Sequence, residues 1–376
     1  MTAHLRIVHC FRSPVGGIFR HVRDLVTAQA AAGHEVGIIC DSSTGGALEE
    51  RYFEEIGGAL SLGVARLPIK RHIGPGDIAA GWRTYRLIKA LRPDVLHGHG
   101  AKGGALARTF GSLLRVQRYR VARLYSPHGG VLHYDPATLK GKALFSMERL
   151  LTRFSDHVLF VSDHERRTFF EKVGRPKTPT SMVHNGLNEA EFVPVAAAPD
   201  AADLLYVGMM RDLKGPDIFI DALAEASRQL GRPLSAVMVG DGDDLPSDQA
   251  QAAALGLAVR FLPPMPAREA FALGRVIVVP SRAEAMPYIV LVALAAGKTM
   301  ISSAVGGIPE IFAPASPALV EPAVESVAAA MAAAMRDEGA FAALMPPRDE
   351  LRTRFGADMI AENVEKAYLA SLGRGG

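Results

Sequence analysis

The sequence predicts an α/β protein of two doubly wound domains in series, facing each other across a cleft. Three observations carry this. Short apolar runs alternate with helical stretches along the chain, the pattern of parallel sheets covered on both faces. The alternation lapses at the Ala/Pro-rich stretch 193–203 (VPVAAAPDAAD) and then restarts. The 376 residues, 49% hydrophobic and 22% charged, suffice for two cores and exclude a disordered or fibrous chain. The expected division is a domain over 1–192, a linker at 193–203, a second domain over 204–350, and a terminal segment 351–376 with a helix at about 355–372.

In the first domain, 5–11 (LRIVHCF) reads as a buried strand. Gly16-Gly17 forms the following turn, 18–32 a helix stopped by Gly33, and 35–40 (EVGIIC) the next strand, together a βαβ unit. Further strands are expected at 94–97, 121–125, 157–161 and 180–184. The second domain repeats the pattern with strands at 203–208, 234–240, 258–262, 275–280 and 299–303. No repeat of 20–50 residues occurs, which excludes a solenoid or propeller. The longest uncharged apolar helical stretch, 285–297, falls short of the roughly 20 residues that span a bilayer.

Two cysteines, Cys10 and Cys40, exclude a disulfide framework and a four-cysteine zinc site, and their strand-like surroundings predict buried thiols. The opening MTAHLRIVHC lacks a charged-then-apolar leader, so the cytoplasm is the expected compartment. The net charge of +3 conceals an asymmetry: residues 1–190 hold 27 Lys+Arg against 16 Asp+Glu, and 191–376 hold 15 against 23. Two solvated surfaces would account for this, as would a front half that meets an anionic partner.

Four segments carry chemistry. In 281–297, SRAEAMPYIVLVALAAG, a strand ends at Pro280-Ser281, Glu284 lies in the turn, Pro287 suits the first helical position and Gly297 the helix end. That helix is apolar all round, hence buried, and its N-terminus is a natural phosphate site. Glu284 beside it can take hydrogen bonds from sugar hydroxyls or simply cap the turn. In 205–215, LYVGMMRDLKG, Gly208 closes a strand and Arg211 and Lys214 sit three apart in the next turn, where two cations can hold a diphosphate or simply face solvent. No Walker loop is present. Gly16 and Gly17 permit close backbone approach to a ligand or simply a tight turn. His128, in YSPHGG, can meet a sugar hydroxyl or sit idle in its turn.

Two further pairs invite a metal. His97 and His99 share one strand face, yet no partner set of His, Asp and Glu accompanies them, so no metal is expected there. Asp241-Gly-Asp243 follows a strand and reads as a turn rather than a metal–nucleotide site.

Taken together, these segments resemble the retaining glycosyltransferases of family 4, which have the GT-B fold of two Rossmann-like domains. Residues 16–39 resemble the family's GG–helix–GHEV opening, 94–108 (DVLHGHGAKGGALAR) its DVxHxH strand and helix, and 125–129 its S/TPHG loop. Residues 148–165, 183–188 (VHNGLN), 207–215 and 277–311, ending in GGIPEI, match further family segments in order.

The resemblance implies roles. Arg211 and Lys214 would stabilise the nucleotide diphosphate and leaving group. Glu284 would sit at the donor sugar, and the backbone of Ala285, Met286, Pro287 and Tyr288 would meet sugar and phosphate, with Gly208 also on the substrate. His128 would contact the transferred sugar, Gly16 and Gly17 would border phosphates and acceptor, and Asn185 would be a cleft residue. The last helix would cross back to the first domain. One departure stands out: where the family has a second Glu, on the nucleotide ribose, this chain has Val292. A hydrogen bond to a charged group is worth roughly 1.5–3 kcal/mol, so its loss implies donor binding about ten- to hundred-fold weaker. Glu310, in GGIPEI, is the candidate substitute.

The implied reaction is transfer of a sugar from a nucleotide diphosphate sugar with retention, without metal or other cofactor, to a glycan or lipid-linked acceptor in cell-surface polysaccharide or lipopolysaccharide assembly. Between 66 and 123, Arg66, Lys70, Arg71, Arg83, Arg86, Lys89, Arg92, Arg108, Arg115, Arg118, Arg120 and Arg123 can rest the first domain on the anionic inner face of a membrane. No nucleic-acid motif accompanies them. A sugar-nucleotide epimerase and, because of Val292, a non-catalytic nucleotide-sugar-binding partner are the rival readings, with a hydrolase built on His97 and His99 behind them.

Overall fold

A computed structural model describes residues 4–69, 76–313 and 315–373. The chain divides into two compact units, the first of Met1–Gly186 and Ala357–Gly376, the second of Leu187–Gly356.

Unit 1 is a seven-stranded sheet in the order β3-β2-β1-β4-β5-β6-β7, every pair parallel. Its strands are β1 (Arg6–Cys10), β2 (Glu35–Asp41), β3 (Gly63–Leu67), β4 (Val95–His99), β5 (Ala122–Ser126), β6 (His157–Phe160) and β7 (Thr180–Met182). Unit 2 repeats the plan with six, in the order β10-β9-β8-β11-β12-β13, again all parallel. These are β8 (Ala202–Val207), β9 (Ser235–Val239), β10 (Ala258–Leu262), β11 (Gly274–Val279), β12 (Thr299–Ser303) and β13 (Leu319–Val320). Each order reverses once, between β1 and β4 and between β8 and β11, and the carboxyl ends of strands at such a reversal are where open α/β sheets bind ligands.

Central strands are fully buried. Ile7, Val8 and Cys10 of β1 and Val276–Val278 of β11 have almost no exposed surface, as expected of parallel sheets covered on both faces. Two strands had no sequence signal: β3 lies at an edge, half-exposed, and carries no apolar run, and β13 is two residues long. Close packing of the helix Gly100–Val116 onto the sheet depends on its glycines. A Cβ at Gly103 would lie 2.1 Å from the Cys10 carbonyl oxygen.

The stretch 193–203 is not a free linker but part of unit 2. Val195 N–H donates to Ala296 O and Ala198 N–H to Ala272 O, so an aperiodic, Ala/Pro-rich segment is tied down by its backbone. The chain instead passes between units at Gly186–Leu187 and at Gly356–Ala357. The segment 351–376 is accordingly split: the helix Arg348–Phe355 belongs to unit 2 and the helix Ala357–Leu372 to unit 1, where Tyr368 is fully buried. No helix among the described residues is long and apolar enough to cross a membrane.

Candidate functional site

In unit 2, the segments after β8 and β11 meet because these strands are neighbours. Beyond Gly208 the chain makes a 3-10 turn, Asp212–Lys214, with Arg211 extended just before it. Arg282 N–H donates to Leu213 O at 3.0 Å, and its guanidinium clamps Asp217, holding that carboxylate below its usual range. Lys214 Nζ donates to Glu284 Oε1 at 2.6 Å, and Ser281 Oγ donates to the same oxygen at 2.8 Å. Glu284 is nearly buried, its side chain 7% exposed against 26% for Lys214. A buried carboxylate needs this kind of pairing. A Cβ on Gly306 would strike the Glu284 carbonyl, so the loop carrying Gly306 and, four residues on, half-buried Glu310 packs against the turn that holds Glu284.

Arg211 is half-buried, and its Nε–H is buried with no hydrogen-bond partner among the described residues. A buried orphan donor on a permanent cation costs free energy unless an acceptor arrives. The buried helix is Tyr288–Ala295, with Pro287 as its N-cap, one residue before the first helical position. Met286, Pro287 and Tyr288 are buried and Ala285 half-buried. Val292 is 5% exposed and offers no polar atom at that turn. Asp241 and Asp243 lie in a turn in which Gly242 N–H donates to Asp241 Oδ1 and Met210 N–H to Asp241 O.

In unit 1 the structure assembles a group that the sequence reading missed. His97 and His99 do have partners. His9 lies opposite His97 in the β1–β4 register, and His21 and His128 join them from the helix Gly16–Ala31 and the turn after β5. His9 Nδ1 and His99 Nε2 are 2.9 Å apart, and His99 Nδ1 and His128 Nε2 are 3.1 Å apart. His9 Nε2 meets Gln29 Oε1 at 2.9 Å; His97 meets the Tyr368 hydroxyl and Ser126 Oγ, both at 2.8 Å. Burial strips water from these rings and keeps them neutral: it pushes His9 and His128 down to about 4 and holds His21, His97 and His99 well below the usual imidazole value. Asn185 is buried and hydrogen-bonds His21. The nitrogens of His9, His97 and His99, or of His21, His99 and His128, converge closely enough to hold a metal ion. Both nitrogens of His9, His97 and His99 are, however, already engaged in hydrogen bonds.

His128 is half-buried and has a left-handed backbone, φ +50°, followed by Gly129 and Gly130 at +79° and +41°. Such a conformation costs a non-glycine residue roughly 1–3 kcal/mol and persists where surrounding contacts enforce it. One is Glu165, whose two oxygens accept the Gly129 and Val161 N–H groups. Gly16, at φ +66°, and Gly17 open their helix exposed, with no acidic residue in its first turn. What the sequence reading lacked was strand adjacency: His9 and His97 are 88 residues apart, and only the order β1-β4 places them side by side.

Two family models cover most of the chain: Glycosyltransferase Family 4 matches residues 15–191 and Glycosyl transferases group 1 matches 201–337. The chain belongs to glycosyltransferase family 4. A glycogen synthase of Mycobacterium tuberculosis is 28% identical over 390 aligned residues, spanning 95% of this chain and 92% of that one. Among solved structures, the Anabaena protein Alr3699/HepE in complex with UDP-glucose aligns with a TM-score of 0.78 at 16% identity, covering 98% and 100% of the two chains. WaaG, a glycosyltransferase involved in lipopolysaccharide biosynthesis, aligns with a TM-score of 0.69 at 17% identity, covering 96% and 98%. The two sheets of this glycosyltransferase are those of the GT-B fold.

Proposed function

We propose that the protein transfers a sugar from a nucleotide diphosphate sugar to a glycan or lipid-linked acceptor, with retention and without a metal ion. The observation that carries this is the constellation at the β8/β11 reversal: the Lys214–Glu284 pair, the orphan Nε–H of Arg211 and the N-terminus of Tyr288–Ala295. Arg211, Lys214 and that helix offset the diphosphate charge as it develops, with Gly208 and the backbone of Ala285, Met286, Pro287 and Tyr288 against phosphate and sugar. Glu284, steadied by Lys214 and Ser281, accepts from sugar hydroxyls. From unit 1, His128 meets the transferred sugar, Gly16 and Gly17 border the phosphates, and Asn185 supports His21. In the reaction the acceptor oxygen bonds the anomeric carbon on the face from which the phosphate oxygen leaves, and the acceptor's proton passes to that phosphate. The UDP-glucose complex of the Anabaena protein supports a nucleotide-sugar donor.

For the acceptor, we propose cell-surface polysaccharide or lipopolysaccharide assembly at the cytoplasmic face of the membrane. The basic surface is narrower than the sequence alone implies. Arg108 is buried on Glu148, Arg115 and Arg123 share Asp156, Arg66 pairs with Glu50, and Arg120 donates to Leu372 O. Lys70 and Arg71 lie outside the described residues. Arg83, Arg86, Lys89, Arg92 and Arg118 remain exposed, with Trp82 at 55% and Val116 at 82% exposure, a mixture suited to an anionic lipid surface. Liposome sedimentation tests this: equal weak retention on neutral and anionic vesicles removes the membrane part.

The test of the donor is a screen of nucleotide sugars for thermal stabilisation, since a ligand of the native state raises Tm; silence across the set overturns it. Buried Val292 favours one second reading, a non-catalytic nucleotide-sugar-binding partner, which predicts stabilisation by donor but no transfer to any acceptor.

A further inference from the structure

The ring nitrogens of unit 1 form a chain whose protons can be placed by elimination. A neutral imidazole carries one N–H and one bare nitrogen, and burial keeps these rings neutral. Gln29 Nε2 donates to the Tyr368 hydroxyl at 3.2 Å, and that hydroxyl is 2.8 Å from His97 Nδ1, so Gln29 turns its Oε1 toward His9. An amide oxygen only accepts; His9 therefore carries its proton on Nε2 and leaves Nδ1 bare. The 2.9 Å contact then requires a proton on His99 Nε2, which leaves His99 Nδ1 bare and in turn requires one on His128 Nε2. Nδ1 of His128 is left as a bare acceptor, with no hydrogen-bond partner among the described residues.

We propose that Gln29, His9 and His99 are positioning residues that hold His128 in its Nε2–H tautomer, so that the ring offers a hydrogen-bond acceptor to a hydroxyl of the sugar being transferred. The sugar part rests on the reading of His128 given above; the tautomer does not. Tyr368 sets the far end. If its hydroxyl is lost, the Gln29 amide is free to turn, its nitrogen then donates to His9, and every proton along the chain shifts to the other side of its ring. Tyr368 lies four hydrogen bonds from His128 along this path and comes from the helix Ala357–Leu372. A sugar lacking a hydroxyl opposite His128 would leave that nitrogen unsatisfied, so the same network acts on donor choice.

The test is two-bond 1H–15N spectroscopy of the full chain with 15N-labelled histidine, without substrate, at pH 7. The wild type is expected to show His9, His99 and His128 each with a protonated Nε2 and a bare Nδ1. Tyr368→Phe, which keeps the packing, and Gln29→Leu are expected to replace the single His128 signature by a mixture. A protonated Nδ1 on His128 in the wild type overturns the proposal. So do His128 signals left unchanged by Tyr368→Phe, or ring signals that change when the purified protein is treated with a chelator, which would make the rings metal ligands. Should Gln29→Leu not fold, the wild-type and Tyr368→Phe spectra decide. Because no substrate enters, a failed donor screen leaves this result standing.

Discussion

Acidification from pH 7 to pH 5 should weaken unit 1 and strengthen unit 2. His9 is held neutral in the folded chain, its pKa down from 6.5 to about 4. A group whose native pKa lies below its unfolded value binds fewer protons in the native state, so stability present above pH 6.5 is lost as pH falls toward 4. At pH 5 the unfolded imidazole is almost fully charged and the native one almost neutral. At about 1.4 kcal/mol per proton per pH unit, integration from 7 to 5 gives a loss of about 2 kcal/mol from His9. His21, His97 and His99 shift in the same direction, and because the rings interact their losses do not simply add. Unit 2 holds the opposite case. Desolvation first, then Asp244 and Asp217, raise Asp248 from 3.8 to about 6, so its native form takes up a proton and gains about 1 kcal/mol over the same interval. Hydrogen-exchange mass spectrometry at the two pH values, corrected for the intrinsic exchange rate, reads each unit separately. Peptides from β1 and β4 should open about 30-fold more often at pH 5, as 2 kcal/mol requires, while those from β8 and β9 hold or gain protection. Undiminished protection of β1 and β4 at pH 5 would show that the histidines charge in place, and the reasoning from burial would fail.

Other substitutions test the remaining assignments. Lys214→Ala should lower kcat/KM about 100- to 1,000-fold, the scale of losing one preorganised charge at the reacting group; near-normal turnover counts against the diphosphate role. His128→Ala should lower kcat/KM about tenfold, equivalent to one hydrogen bond, and an unaltered value separates that ring from the sugar. Gly103→Ala drives a methyl group into the Cys10 carbonyl and should cost about 3 kcal/mol or more, at the upper end of overpacking effects, measured by chemical denaturation; a cost below about 0.5 kcal/mol would mean the helix can move away freely. Val292→Glu should tighten nucleotide-sugar binding about ten- to hundred-fold by calorimetry, the worth of one charged hydrogen bond; unchanged affinity would show that the ribose is held elsewhere.

The alternation of apolar runs and helices made both sheets legible, because buried parallel strands cannot avoid being continuously apolar. β3 and β13 escaped because an edge strand and a two-residue strand need no such run. Arg211, Lys214 and Glu284 were legible because each sits a few residues after a strand, in turns with recognisable punctuation. His9, Gln29 and Tyr368 were not, since each looks like one more residue in an apolar strand or helix until the sheet order is known. The linker was misplaced for a similar reason: composition marks 193–203 as irregular, but irregular chain can still be fastened to a sheet, as Val195 and Ala198 are. The basic stretch was over-read because Arg108, Arg115 and Arg123 are long enough to reach acidic partners inside the fold.

Cys10 and Cys40 are wholly enclosed, and burial lifts both thiols to about 12, so almost no thiolate exists near neutrality. Thiol-directed alkylating reagents should therefore pass the native protein by. A cysteine introduced on any outer turn would be the sole reactive thiol, and fluorophores or spin probes could be attached to each unit without first removing the natural pair.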